Sequence, residues 1–234
     1  MATDVNRALL ESGELEVTGR LVDASNATLY AKVVLNAVEK ICIYKPIAGE
    51  RPLWDFPDGT LADREYAAYL ISDFLALNVV PLTILRDGPF GFGMVQEWID
   101  IDEAIDLASY FSQDIPELRR MAFFDAIINN TDRKIGHLLP NLSGELYGCD
   151  HGVTFHEEDK LRTVLWQWAG EPLLPVEIKS LENLLAGLSG DLDLSSHLTH
   201  KEIEALLMRI QRLISEEVMP TPSPDWPAIP WPAF

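Results

Sequence analysis

The stretch Asn129-Asn130-Thr131-Asp132-Arg133-Lys134-Ile135-Gly136-His137-Leu138, followed at Asp150-His151-Gly152-Val153-Thr154-Phe155 by a second acidic turn, decides the fold. It follows an apolar helical run carrying Leu118, Met121, Phe124 and Ile128, for which Asp114-Ile115-Pro116-Glu117 reads as a capping-box start. Asp132 therefore stands just past a helix end, where its carboxylate can accept a hydroxyl proton. His137 offers a metal ligand five residues on. His137 to Asn141 and Glu145 to Cys149 are expected to pair as a hairpin over Ser143-Gly144, which would return Asp150 to the side of Asp132. That order of parts is what ATP-dependent phosphoryl transfer requires. An isolated Asp-x-Gly is a common turn, so Asp150 draws its weight from the hairpin that separates it from Asp132.

Upstream of this stretch the sequence alternates like an antiparallel sheet interrupted by one helix. Leu15 to Val22 and Ala27 to Leu35 read as strands about a turn at Asp23-Ala24-Ser25-Asn26, and Lys40 to Lys45 as a third. After a Pro- and Gly-rich loop from Gly49 to Gly59, a helix is expected from about Leu61 to Leu77. Thr60 is its N-cap, and Ala67, Leu70, Ile71 and Phe74 form its apolar stripe. Pro81 to Leu85 and Gly93 to Ile99 read as two more strands. From Asp100 the texture turns helical, with later helices over about Pro175 to Leu188 and Thr199 to Val218, the second opened by a Thr199/Glu202 capping box. The expected fold is α+β and two-lobed, with an antiparallel-sheet N-lobe (residues 1–99), a mainly helical C-lobe (100–219) and a Pro/Trp-rich tail (220–234). The tail holds six of the fifteen prolines and cannot continue a helix.

The charge narrows the function. Eighteen basic residues against 37 acidic ones leave a formal −19, which disfavours contact with nucleic acid or an anionic bilayer. No run approaches the roughly 18 apolar residues needed to span a membrane, so no stable membrane insertion is expected. The start Met1-Ala2-Thr3-Asp4 lacks the basic and apolar segments of a leader. Cys42 and Cys149 lie far apart with no metal-spaced partner and read as buried thiols in a reducing compartment. A cytoplasmic location is the resulting expectation.

The Asn-Thr-Asp-Arg run and the following Asp-His-Gly resemble the lipid-kinase-like branch of the kinase superfamily, whose pattern is roughly N-x-D-R-x-x-x-N and then D-x-G. The likeness is greatest to type II phosphatidylinositol 4-kinases and to small actinobacterial phosphatidylinositol 3-/4-kinase-like proteins, and it covers Leu15 to about Leu165. It implies a protein-kinase-like fold, ATP with Mg²⁺ or Mn²⁺, and transfer of the γ-phosphoryl group to a hydroxyl acceptor: a lipid headgroup, a protein hydroxyl or a small polyol.

By that resemblance Asp132 is the base, Arg133 orients the loop or binds phosphate, and Asp150 holds the metal. Lys45, in Ile43-Tyr44-Lys45-Pro46, neutralises phosphate oxygens and is steadied by Glu65. Ser25 and Asn26 stand where the phosphate-covering loop belongs. Gln96, Glu97 and Trp98 occupy the hinge that would hold adenine. The family pattern breaks at His137, which replaces an Asn, and at Lys134, which replaces a His. Imidazole binds Mg²⁺ poorly and Mn²⁺ or Zn²⁺ better.

Each residue also has a plainer reading. A strand-end lysine is commonly a solvated cap, a first-turn glutamate favours the helix dipole, and Trp98 is equally a core residue. Gly88-Pro89-Phe90-Gly91-Phe92-Gly93 sits where a hairpin turn is expected and its spacing does not match a dinucleotide loop. Two rivals follow: a nucleotide-binding pseudokinase with the tail as its docking element, and a metal hydrolase built on His137, His151 and His156. The hydrolase lacks a helix-face ligand pair, and His156 falls in an acidic run expected to be solvated.

Overall fold

A computed structural model describes residues 2–21 and 27–234. In chain order the elements are α1 (Ala2–Ser12), β1 (Glu14–Arg20), β2 (Leu29–Leu35), β3 (Val38–Pro46), α2 (Leu61–Phe74), β4 (Thr83–Gly88) and β5 (Gly91–Glu97). Then come α3 (Leu107–Tyr110), α4 (Pro116–Ile128), β6 (Leu138–Pro140), β7 (Leu146–Gly148), α5 (Pro175–Leu188) and α6 (His200–Glu216). The turn expected at 23–26, with Ser25 and Asn26, lies outside the described residues.

Five antiparallel strands form one sheet in the order β1-β2-β3-β5-β4. Period-two alternation sets the faces. In β2, Leu29, Ala31 and Val33 are buried; in β3, Cys42, Tyr44 and Pro46 are, which turns Lys45 to the opposite face. Gly93 pairs with Pro46 where a Cβ would lie 2.3 Å from the Lys45 carbonyl oxygen, so only glycine permits this approach beside Lys45. The glycine-rich run is thus the β4–β5 hairpin, as its spacing suggested.

Helix α1 was not legible in the sequence. It carries Leu9 and Leu10 into the core and touches β2, β4 and β5. With so short an apolar contribution its helicity rests on docking rather than on pattern. Helix α2 starts as expected, with Thr60 Oγ1 accepting from Asp63 N at 3.0 Å, and Glu50 supplies a second cap by accepting from Leu61 N and Ala62 N at 2.9 Å each.

The helical lobe is centred on α4, whose Leu118 and every residue from Met121 to Ile128 are buried. Its expected capping box does not form: the helix begins at Pro116, and Asp114 instead accepts from Trp168 Nε1 at 3.0 Å. Pro at the first helical position needs no such cap. The Thr199/Glu202 box on α6 does form. The lobes are joined behind the cleft by Arg64 Nε to Glu202 Oε1 at 2.7 Å and by His197 Nδ1 to Asp63 Oδ1 at 3.0 Å. The tail is non-helical and packs back on the chain, with Thr163 N and Ile135 N donating to the carbonyls of Ala228 and Ala233.

Candidate active site

Helix α4 ends at Asn129, which takes the left-handed conformation (φ 52°) that Asn tolerates better than branched residues. The next residues fold into a loop fixed from several sides. Asn130 is buried, donates to Asp125 Oδ1 at 2.9 Å and accepts from Asp132 N at 2.9 Å. Thr131 donates to Val153 O through both its amide and its hydroxyl. Arg133 N donates to Arg162 O, and Arg162 N to Asn130 O, so the segment after the second acidic turn lies alongside the loop.

Beneath this loop is a sealed ionic knot. Arg133 and Asp125 are both fully buried, with Nη2 to Oδ1 at 2.9 Å and Nε to Oδ2 at 3.0 Å. Arg133 also donates to Cys149 O and to His151 Nε2. This satisfies the guanidinium inside the protein, so Arg133 has no path to a phosphate. Of its two expected roles only the holding of the loop remains. Asp125 was overlooked in the sequence, although an acid in the middle of the apolar run Ala122-Phe123-Phe124-Asp125-Ala126-Ile127 was the available signal.

Above the knot lies a cavity of about 590 Å³, lined by Lys45, Glu65, Asp132, Lys134, His137 and Asp150 among others. Lys45 Nζ is 2.5 Å from Glu65 Oε1 and also hydrogen-bonds Asp150 Oδ1. Glu65 accepts from His151 N through its other oxygen. Asp150 has φ +58°, an uncommon backbone for a residue with a side chain and one that clusters at functional sites. Gly152 lets this turn approach α2, since a Cβ there would sit 3.0 Å from Leu61 Cβ. Hairpin β6–β7 sets Asp150 in place, with Cys149 N donating to His137 O at 3.1 Å.

The electrostatics follow from burial against pairing. Burial alone would lower the Lys45 pKa, but Asp150 and Glu65 outweigh it and the ammonium is held. Lys45 in turn keeps the Asp150 carboxyl far below its ordinary range. Glu65 is raised, because desolvation exceeds the help from Lys45. Asp132 is also raised by burial, against the pull of Lys134, whose Nζ is 3.2 Å from Oδ2. Desolvation pushes His137 down to about 4, so it is neutral near pH 7. Its Nε2 is 3.5 Å from Asp150 Oδ2, and its buried Nδ1 has no partner.

Among the described residues no group of three or more His, Cys, Asp and Glu side chains could hold a metal by itself. Asp150 with a neutral, under-satisfied His137 offers two ligands to a divalent ion, so any further ligands would have to come from outside the protein. The expected hydrolase cluster is not formed. Its members do other work: His151 is buried under Arg133, and His156, which the acidic run suggested was solvated, is buried and accepts from Glu158 N through Nδ1, with Lys160 Nζ 3.1 Å from its Nε2.

The hinge expectation is corrected. Gln96, Glu97 and Trp98 do not line the cavity. Gln96 is buried and donates to Thr83 Oγ1 at 2.8 Å, Glu97 pairs with Lys40, and Trp98 stands edge-on to Tyr30 with ring centroids 5.2 Å apart. The amides of Glu97 and Trp98 already donate to Leu82 O and Ile41 O, leaving neither for adenine. The cavity is instead roofed by the loop between β3 and α2, through Glu50, Arg51, Pro52, Leu53, Asp55 and Phe56. Composition marked that loop only as Pro- and Gly-rich.

No protein-family profile matches this sequence. It is 43% identical, over 268 aligned positions, to Protein Rv2133c of Mycobacterium tuberculosis, covering 99% of this chain and 96% of that one. The structure resembles that of the Golgi casein kinase (TM-score 0.55, 13% identity, 92% of this chain and 74% of that chain). It also resembles the same enzyme with Mn and ADP bound (TM-score 0.56, 15% identity, 92% and 76%). These likenesses identify a protein-kinase-like fold.

Proposed function

The chain belongs to the family of Protein Rv2133c, and from that premise we propose that it is an ATP- and divalent-metal-dependent kinase transferring the γ-phosphoryl group to a hydroxyl acceptor. One observation carries this reading: Lys45 from the sheet is held between Glu65 of α2 and Asp150 of the second acidic turn, at one edge of a cavity whose other edge is Asp132. That is the ion-pair arrangement on which phosphoryl transfer depends in kinases. The finer family likeness, to phosphatidylinositol kinases, and the division at residue 99 into an N-lobe and a C-lobe belong to the same proposal. So does a cytoplasmic site of action; among the described residues no helix is long and apolar enough to cross a membrane.

In this reading Lys45 neutralises phosphate oxygens and Glu65 fixes its direction. Asp150 and His137 would hold the divalent ion, which when bound supplies neutralisation of phosphate charge; the Mn and ADP of the Golgi casein kinase structure favour such a pair. Asp132 orients the acceptor hydroxyl and takes its proton as the new O–P bond forms and the bond to the departing ADP breaks. Its burial-raised pKa makes it a better base than a solvated aspartate. Arg133 keeps the loop in register from below.

The second reading, a nucleotide-binding pseudokinase, is favoured by His137 in place of the expected Asn and by Asp132 being paired with Lys134. An ATPase and autophosphorylation assay with Mg²⁺ and Mn²⁺ compared, beside nucleotide-induced thermal shifts, tests both. Turnover abolished by Asp132→Asn supports the kinase. Binding without turnover in either metal selects the pseudokinase, and neither binding nor turnover ends both.

A further inference from the structure

Arg162 is a cation that the proposed kinase mechanism leaves without a task. It lines the same cavity as Asp132, and its backbone is bonded on both sides to the loop that carries Asp132: its N donates to Asn130 O at 2.9 Å and its O accepts from Arg133 N at 3.1 Å. The position of its backbone is therefore set by the loop itself. Its Nε is buried and has no hydrogen-bond partner, and the carboxylate on which its charge acts is Asp132. Arg162 as a whole is partly buried, and its unfilled Nε donor is the part of the guanidinium that a ligand in the cleft can complete. Lys134 stands on the same side, 3.2 Å from Asp132. Both cations act on the carboxylate that would receive the acceptor's proton.

The chain's own tail restricts what can enter there. The residue after Arg162, Thr163, donates its amide to Ala228 O at 3.1 Å, and Trp166 Nε1 donates to the same oxygen at 2.9 Å. On the other side of the loop, Ile135 N donates to Ala233 O at 2.9 Å. Two backbone donors flanking Asp132, Thr163 N and Ile135 N, are thus already taken by the tail and are closed to an extended polypeptide. A compact acceptor, by contrast, needs only the cavity.

Resting on the kinase reading, we propose that Arg162, with Lys134 beside it, forms an anion subsite at the acceptor end of the cleft, so that the phosphoryl acceptor is a small hydroxyl compound already carrying a phosphate group. A tetrahedral oxyanion suits the fixed fork of a guanidinium and a neighbouring ammonium. The phosphate can come from a soluble polyol phosphate or from a phospholipid headgroup, and both present the same chemistry.

The test is a thermal-shift titration of the full chain with glycerol 3-phosphate against glycerol, inorganic phosphate alone, and phosphatidylcholine vesicles with and without phosphatidylinositol. ATP with Mn²⁺ is titrated separately. The parent should bind glycerol 3-phosphate in clear preference to glycerol, and Arg162→Gln should weaken that binding by about tenfold or more. The ATP–Mn²⁺ shift should stay, and Arg162→Lys should recover part of the loss. A response to doped vesicles alone supports the subsite and assigns the phosphate to a lipid. No preference for the phosphorylated compound, or a preference that survives Arg162→Gln, overturns the proposal. So does an Arg162→Gln variant that loses the ATP shift instead, because Arg162 would then belong to the nucleotide. Efficient phosphorylation of a hydroxyl-bearing peptide, with none of glycerol 3-phosphate, overturns it as well. Failure of ATP to bind while glycerol 3-phosphate still does removes the kinase reading and leaves the anion subsite. Should Arg162→Gln fail to fold, Lys134→Gln with the same ligands gives the equivalent readout.

Discussion

Two ionic clusters lie on either side of the Asp132 loop, built from the same segments and put to opposite uses. Below it, Arg133, Asp125, Asn130 and His151 are closed off from solvent and bonded to one another, with His151 Nδ1 left without a partner. Above it, Lys45, Glu65, Asp150 and His137 face a cavity, and the set carries an unpartnered imidazole nitrogen and a backbone in the left-handed region. The sealed cluster has its charges matched inside the protein and is shut off from any ligand, so its work is to hold. The open cluster has unused capacity aimed into a cleft, which suits binding. Residues from one short stretch, Asp132 and Arg133, belong to different clusters, so adjacency in sequence does not imply a shared role.

The sharpest way to break the comparison is to remove one partner from the sealed cluster. Asp125→Ala leaves the Arg133 guanidinium buried and uncompensated, for which a loss of about 3–5 kcal/mol is expected. A denaturant midpoint measured on the parent and the variant checks it. Glu65→Gln, which alters the open cluster, should cost much less stability while reducing nucleotide binding. Equal destabilisation by the two would erase the distinction between the clusters.

Next in size are the two acids of the cleft. Asp132→Asn should keep nucleotide affinity and lose about 10²–10⁴ in turnover, the usual contribution of a positioned acid or base. Asp150→Asn should weaken metal–nucleotide binding as well. The pair is read by comparing kcat with the nucleotide-induced thermal shift. Loss of binding in both variants alike would mean that Asp132 serves the nucleotide rather than the acceptor.

Acid should act through the histidines of both clusters. His137 is pushed down to about 4 and His151 well below its ordinary value, in both cases chiefly by desolvation. The unfolded chain takes up protons on these groups near pH 6.5 while the native chain does not, so stability is present above that pH and is lost as the pH falls toward 4. His137 alone accounts for roughly 3 kcal/mol across that window. Glu65 and Asp132, raised by burial, act in the opposite sense and gain stability as the pH falls through their raised values, which makes the histidine slope shallower. Denaturant midpoints at pH 7 and pH 5 measure the slope, and a flat profile would mean that the imidazoles are not desolvated as drawn.

The open cluster is also where nucleotide should register. At 100 times its dissociation constant a ligand stabilises the native state by about 2.7 kcal/mol, so ATP with metal should raise the melting temperature, and Lys45→Met should remove most of that rise. A shift that survives the substitution would move the phosphates away from Lys45.

The sequence revealed the parts of this site that are local. Asp132, Asp150 and the hairpin between them follow from turn residues and spacing, and the strand ending at Lys45 follows from alternation. Periodicity could not say which backbone amides of Gln96, Glu97 and Trp98 were already committed to Leu82 and Ile41, because that depends on strands 15 and more residues away. Asp125 was visible as an acid in an apolar run, yet only its pairing with Arg133 shows what it does. Arg162 had no local signature, and the tail was marked only by its prolines and tryptophans. Their significance comes from contacts across about 30 residues for Arg162 and more than 60 for the tail.

The smallest effect tests the one departure from the family pattern. If His137 completes the metal position with Asp150, the site should prefer Mn²⁺ to Mg²⁺, since imidazole is a poor ligand for the harder ion. His137→Asn restores an oxygen donor and should shift the preference toward Mg²⁺ by a few-fold, read as the ratio of ATP-induced thermal shifts in the two metals as well as the ratio of rates. The competing role is structural, because the His137 carbonyl accepts from Cys149 N and the ring is largely buried. That bond belongs to the backbone and survives the substitution. A purely structural histidine would therefore lower the melting temperature without moving either ratio, and an unchanged ratio would leave Asp150 as the sole protein ligand in the open cluster.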